Sequence, residues 1–231
     1  AATGVSLERS VEGGVAVYAF GADGELEVTT AVLVDPFRLV VDLKGVKAKP
    51  GSAFEPLPVG EGGVRRIRAS PLDDGVRVVF DMDLALGHKV VRLDGGRVGV
   101  RLFRPFLGIE VAPEGYGGRL TIDVPAETPY VVSRLVQPDR IVIDLFDATL
   151  VQGPVSLELD GGPLTRVRAA QFLPDVARVV LDVSEPVEIE PAGEAGGLVF
   201  LYGDAVAPIS YRRAAAGIDL KIHAGEGAEM R

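Results

Sequence analysis

The sequence predicts an all-β protein built from two tandem small β-sandwich domains of similar fold. Three observations carry this. First, four blocks recur in the same order at a nearly constant spacing: Arg38–Asp42 and Arg140–Asp144 are offset by 102 residues, "VRRIRA" (64–69) and "LTRVRA" (164–169) by 100, Arg77–Asp81 and Arg178–Asp182 by 101, and "VRLF" (100–103) and "VFLY" (199–202) by 99. A repeat of that length in a chain of 231 residues is one domain used twice. Second, the segments between turns are short and rich in Val, Ile, Leu and aromatics, the composition of strands. Third, 29 Gly and 16 Pro leave few windows long enough for a helix.

Taken in order, the strands of the first unit are "GVAVYAFG", "LEVTTAVLV", "RLVVDL", "VRRIRA", "GVRVVFDM", "HKVVRL" and "RVGVRLF", each bounded by Gly, Pro or Asp. "LVDPFRLV" reads as a hairpin with Pro36 at the second position of a tight turn, and "LVQPDRIV" repeats it with Pro138 and Asp139. "FEPLPVGEG" reads as a loop, and "YRRAAAG" offers at most one helical turn. "LDDG" (72–75) has the composition of a turn. Pro105 in "RPFLG" and Pro208 in "AVAPIS" mark the exits of the two units. The expected division is 1–106, 107–207, and a remainder, 208–231. Each unit opens on a related leader, "LERSVEGGVAVYAF" (7–20) and "IEVAPEGYGGRLTID" (109–123). "ISYRRAAAGIDLKI" (209–222) resembles both, so the remainder is either the opening strands of a third repeat or a hairpin closing the second.

The recurring pentapeptide has arginine at one end and aspartate at the other. Alternate side chains of a strand share a face, so Arg38, Val40 and Asp42 point one way, and Leu39, Val41 and Leu43 point to the core. Antiparallel pairing of two such strands sets Arg38 against Asp81, Asp42 against Arg77, Arg140 against Asp182 and Asp144 against Arg178. Opposite charges across a ladder contribute roughly 0.2–1 kcal/mol per pair and fix its register. Four copies at equivalent places therefore read as structural ion pairs.

The composition excludes several classes. A net charge of −9 argues against general nucleic-acid binding. No cysteine means no disulfide, thiolate zinc site or cysteine nucleophile. No apolar run approaches the roughly 20 residues that cross a bilayer as a helix. The "AATG" start resembles a mature end after a small-residue cleavage site, and a boundary unrelated to cleavage explains it equally well. His88 and His223 lie in unlike contexts and are expected on surface strands, not as zinc ligands. No G-x-S-x-G elbow and no phosphate or cofactor motif is found, so no catalytic residue, metal or cofactor is assigned. A hydrolase would need a deep pocket lined by two acids. Tyr18, Tyr116, Tyr130, Tyr202 and Tyr211 are scattered, which weakens a lectin-like reading.

Two basic stripes stand out in this acidic chain. Arg66 and Arg68 share a face around the inward Ile67, and Arg166 and Arg168 do the same around Val167. Guanidinium groups grip carboxylates and phosphates in a two-pronged fork, so these four are the candidate ligand-binding residues; the competing expectation is that they pair with nearby Asp and Glu.

The ordered pattern "RLVVDL…VRRIRAS…GVRVVFDM…VGVRLF" resembles the AMIN domain, and "RIVIDL…LTRVRAA…ARVVLDV…LVFLY" resembles a second copy. The resemblance spans about residues 5–205. It implies a small two-sheet sandwich of the kind that precedes peptidoglycan amidases or sits in pilus secretins. On this basis the chain is expected to be a non-catalytic wall-binding and targeting region of an exported protein. The alternative is a protein-interaction module of an envelope secretion or pilus complex. The implied partners are peptidoglycan or another wall polymer, with envelope proteins second and no nucleic acid or membrane insertion. The implied location is extracytoplasmic, in the cell envelope or secreted.

Overall fold

The structure is a computed structural model and describes residues 4–12, 14–46, 55–193, 196–203, 209–214 and 217–222, the last two segments as backbone only. Each repeat folds as two antiparallel sheets. In the first, β1 (Val5–Glu12), β2 (Val15–Ala22), β8 (His88–Arg92) and β9 (Val98–Leu102) form a four-stranded sheet of order β1-β2-β9-β8. Opposite it, β3 (Glu27–Val34), β4 (Phe37–Lys44), β5 (Leu57–Glu61), β6 (Val64–Leu72) and β7 (Gly75–Met82) form a five-stranded sheet of order β3-β4-β7-β6-β5.

The second repeat uses the same order. β11 (Gly108–Glu114), β12 (Gly117–Asp123), β19 (Ile189–Ala192) and β20 (Leu198–Tyr202) stand as β11-β12-β20-β19. β13 (Tyr130–Leu135), β14 (Arg140–Phe146), β16 (Val155–Glu158), β17 (Leu164–Leu173) and β18 (Val176–Val183) stand as β13-β14-β18-β17-β16. The short strands β10 (Arg104–Phe106) and β15 (Ala148–Leu150) pair in parallel. β21 (Ile209–Ala214) and β22 (Gly217–Ile222) form a separate antiparallel hairpin.

Two cores follow from the period-2 patterning. In the first, Leu39, Val41 and Leu43 of β4 meet Tyr18, Phe20, Phe80 and Val100, with the Tyr18 and Phe80 rings edge to face at 4.8 Å. In the second, Ile141, Ile143 and Leu145 meet Leu120, Ile122, Leu181 and Phe200. Phe106 belongs to this second core. Edge-to-face rings and buried aliphatics are the favourable packing for such an interior.

The structure corrects four local expectations. Leu57–Glu61 is strand β5, not loop; it is an edge strand, where Pro58 costs no ladder bond on its solvent side. Tyr211–Ala214 is extended in β21 rather than helical, because β22 pairs with it. Pro36 occupies the third place of the Val34–Phe37 turn, after a cis bond, which is the proline position of a type VI turn; the second hairpin has a longer loop, Val136–Asp139, also with a cis bond before Pro138. Register, finally, makes Leu102 the counterpart of Tyr202, an offset of 100 for the last block. Asp73 and Asp74 form the turn joining β6 to β7. Pro208 lies outside the described residues.

The repeats touch through backbone and polar contacts and through Val151, which packs against the first core. The Gly87 amide donates to Thr149 Oγ1 at 2.9 Å, and the Arg104 amide donates to the Asp147 carbonyl at 2.7 Å. Arg104 is 3% exposed at this junction, and burial pushes its pKa down.

Candidate functional site: two arginine clusters on the outer sheet faces

The site is built by register. β7 lies between β4 and β6, and Asp81 is the partner of Arg38 on one side and Arg66 on the other. A β-bulge between Val64 and Arg66 makes Arg65 an extra residue. The bulge turns Val64 and Ile67, three residues apart, both to the core, and sends Arg66 and Arg68 to the outer face. The second repeat has the same bulge between Leu164 and Arg166, and Asp182 stands between Arg140 and Arg166.

Three guanidiniums therefore converge on each carboxylate. Arg68 grips Asp81 with both prongs, Nε at 2.8 Å and Nη2 at 2.7 Å, and Arg66 Nε adds a third bond at 2.6 Å. Arg38 Nε stands 3.7 Å away and makes no hydrogen bond. In the second repeat Arg168 donates to Asp182 at 3.0 and 2.8 Å and Arg166 at 2.9 Å, while Arg140 Nε approaches to 3.1 Å without hydrogen-bond geometry. The aspartate side chains are 5% and 14% exposed; the six arginines are exposed by a third to a half. The first cluster sets three positive charges against one buried carboxylate, and the second sets three against one buried carboxylate with a second, exposed one at its rim. Arg166 also lies 3.6 Å from the exposed Glu158.

The electrostatics follow. The bonds from Arg68, then Arg66, hold the Asp81 carboxyl at about 2 against the opposing effect of burial. At Asp182 burial pushes the pKa up, and the bonds from Arg168 and Arg166 outweigh it, leaving a net lowering. Both aspartates are ionised at neutral pH and spend their acceptor capacity on their own arginines.

The remaining members of the recurring pentapeptides are separate, neutral pairs. Arg77 grips Asp42 with two bonds of 2.7 Å, and Arg178 grips Asp144 with bonds of 2.6 and 2.8 Å. Arg178 also stacks on the Phe172 ring, 3.5 Å from its centroid. Phe172 occupies a bulge that the first repeat lacks. The sequence treats the cross-strand pairs and the arginine stripes as two features; the structure joins them on one carboxylate per repeat. The missed members were legible in part: apolar residues three apart in "VRRIR" cannot share a strand face without a bulge.

The other sequence candidates lie apart. His88 is half-buried rather than on the surface, with Nε2 2.9 Å from Thr30 Oγ1 across the mouth of the first sandwich, and burial lowers its pKa. His223 lies outside the described residues, as does the side chain of Tyr211. Tyr18 and Tyr202 are core residues, Tyr130 packs edge-on against Phe200, and Tyr116 bonds Glu185. A surface groove of about 550 Å³ carries Glu25 and Glu27, both solvent-exposed, beside Lys44 and Arg92.

The AMIN domain model matches residues 8–102 and again 108–200, which brackets the two sandwiches. The chain belongs to the AMIN domain family. AMIN domains are non-catalytic and generally bind peptidoglycan or target amidases and secretins to it; they occur in periplasmic or secreted proteins. No curated protein matches the chain. Among the described residues no helix of this tandem AMIN chain is long and apolar enough to cross a membrane.

Proposed function

We propose that this tandem AMIN chain is a peptidoglycan-binding and targeting region of an exported envelope protein, and that the enzyme it serves is a cell-wall amidase. One observation carries the reading: an acidic chain gathers three guanidinium groups around one carboxylate at equivalent places on two outer faces. Arg66, Arg68, Arg166 and Arg168 have prongs left over for the carboxylates and phosphates that wall polymers display. Two weak sites on one chain raise avidity through effective concentration, which gives the duplication a purpose.

The test is co-sedimentation with purified sacculi. Arg66→Ala with Arg68→Ala, and Arg166→Ala with Arg168→Ala, are each expected to weaken pelleting, and the fourfold variant to abolish it. The corresponding lysine variants, which keep the charge but lose the fork, are expected to fall between. Unchanged pelleting of the fourfold variant refutes the reading.

A further inference from the structure

Eight strands stand at the edges of the two sandwiches, and six of them are guarded. β1 carries Glu8, Arg9 and Glu12; β8 carries Lys89 and Arg92; β5 carries Pro58 and Glu61; β11 carries Glu110, Pro113 and Glu114; β19 carries Glu190 and Pro191; and β16 is four residues long with Glu158. Charges, prolines and short length are the usual means of keeping foreign strands off an open edge.

β3 and β13 are the exceptions, and they hold the same place in the two repeats. Val28–Val34 is seven residues without a charge or a proline. Val32, Leu33 and Val34 are 47%, 46% and 70% exposed. On β13, Val131, Val132 and Leu135 are exposed, and the one charged residue, Arg134, is engaged by Glu188 at 3.3 Å. Among the described residues no strand lies on the free side of either edge. The free backbone N–H and C=O groups of an edge are satisfied best by another extended strand.

The charges around β3 say which strand. Glu25 and Glu27 stand at one end and Asp35 at the other, and among the described residues none of the three makes an ion pair; Lys44 faces Glu27 across the ladder on the β4 side. A second copy of β3 docked antiparallel brings Asp35 of one chain beside Glu25 and Glu27 of the other, and like charges at that distance disfavour it. An apolar strand with a basic residue near each end meets no such conflict.

We propose that the β3 edge is a docking site for an extended segment of another protein, apolar and β-branched in the middle and basic at its ends. This surface is distinct from the arginine clusters, so its occupancy and wall binding are separable.

The test uses the whole chain and a synthetic peptide of alternating Val and Thr with two lysines at each end. The peptide is expected to bind and to slow amide exchange along Val28–Val34. The same peptide with glutamates at its ends is expected to bind about tenfold more weakly, as is the lysine-ended peptide to the variant Val32→Lys with Val34→Lys. That variant alters two exposed side chains and is expected to pellet with sacculi as the parent does. Absence of binding, protection elsewhere, or indifference to the edge substitutions overturns the proposal. So does a dimer in sedimentation that Val34→Lys dissolves, which would make a second copy the occupant.

Discussion

Replacing Asp81 by Asn tests whether the first cluster is held together by its carboxylate. Asn keeps the shape and removes the charge, leaving Arg38, Arg66 and Arg68 facing one another. The bonds from Arg68 and Arg66 hold the Asp81 carboxyl at about 2, against an ordinary 3.8. At about 1.4 kcal/mol per pH unit this difference corresponds to roughly 2 kcal/mol. Screening by water around half-exposed guanidiniums reduces it to about 1–2 kcal/mol. A folded pKa below the unfolded one gives stability that is full above pH 3.8 and is lost as pH falls through about 2. Asp81→Asn is therefore expected to cost about 1–2 kcal/mol at neutral pH, and the gap between parent and variant is expected to close over that acid window. Urea unfolding of the full chain, followed by residue-resolved hydrogen exchange in β4, β6 and β7, reads the first sandwich apart from the second. A gap independent of pH, or no loss at neutral pH, refutes the reasoning.

Three further outcomes follow from the same sheets. Arg178→Lys removes one prong from Asp144 and the stack on Phe172, and is expected to cost about 1 kcal/mol in urea unfolding. Arg77→Lys, with no ring stacked on it among the described residues, is expected to cost less. A Cβ on Gly75 would press on the backbone carbonyl oxygen of Leu43, so Gly75→Ala is expected to destabilise the first sandwich by about 2 kcal/mol or more, measured the same way.

Much of this fold is written in short-range pattern. Leu39, Val41 and Leu43 declare their inward face by alternation, and the recurrence of that alternation 102 residues later declares the second sandwich. What escapes is what depends on partners distant in sequence. β5 looks like a loop because Pro58 weakens its local signal, and only its place beside β6 makes it a strand. Tyr211–Ala214, in "YRRAAAG", has a helical bias that pairing with β22 overrides. His88 looks like a surface residue until Thr30, 58 positions away, closes over it. The bond from Gly87 to Thr149 spans 62 positions and leaves no trace in either segment.

The arginine clusters were half legible for the same reason, and their composition bears on function. Register needs one arginine opposite each aspartate. Arg77 with Asp42 and Arg178 with Asp144 meet that need with a closed two-pronged pair and no excess charge. Asp81 and Asp182 are different: each already has its cross-strand arginine, Arg38 or Arg140, yet accepts its hydrogen bonds from two others brought in by a bulge. Scaffolding alone does not call for this, since crowding like charges around one carboxylate opposes folding. The three-arginine arrangement recurs in both sandwiches while nearby features diverge, with Phe146 in the register position of Lys44 and Phe172 inserted where the first repeat has no bulge. The proposed wall-binding role gives that cation excess a use on both faces. If Arg38→Ala with Arg66→Ala raised stability and left sacculus binding intact, the excess would have to be read as an accident of packing.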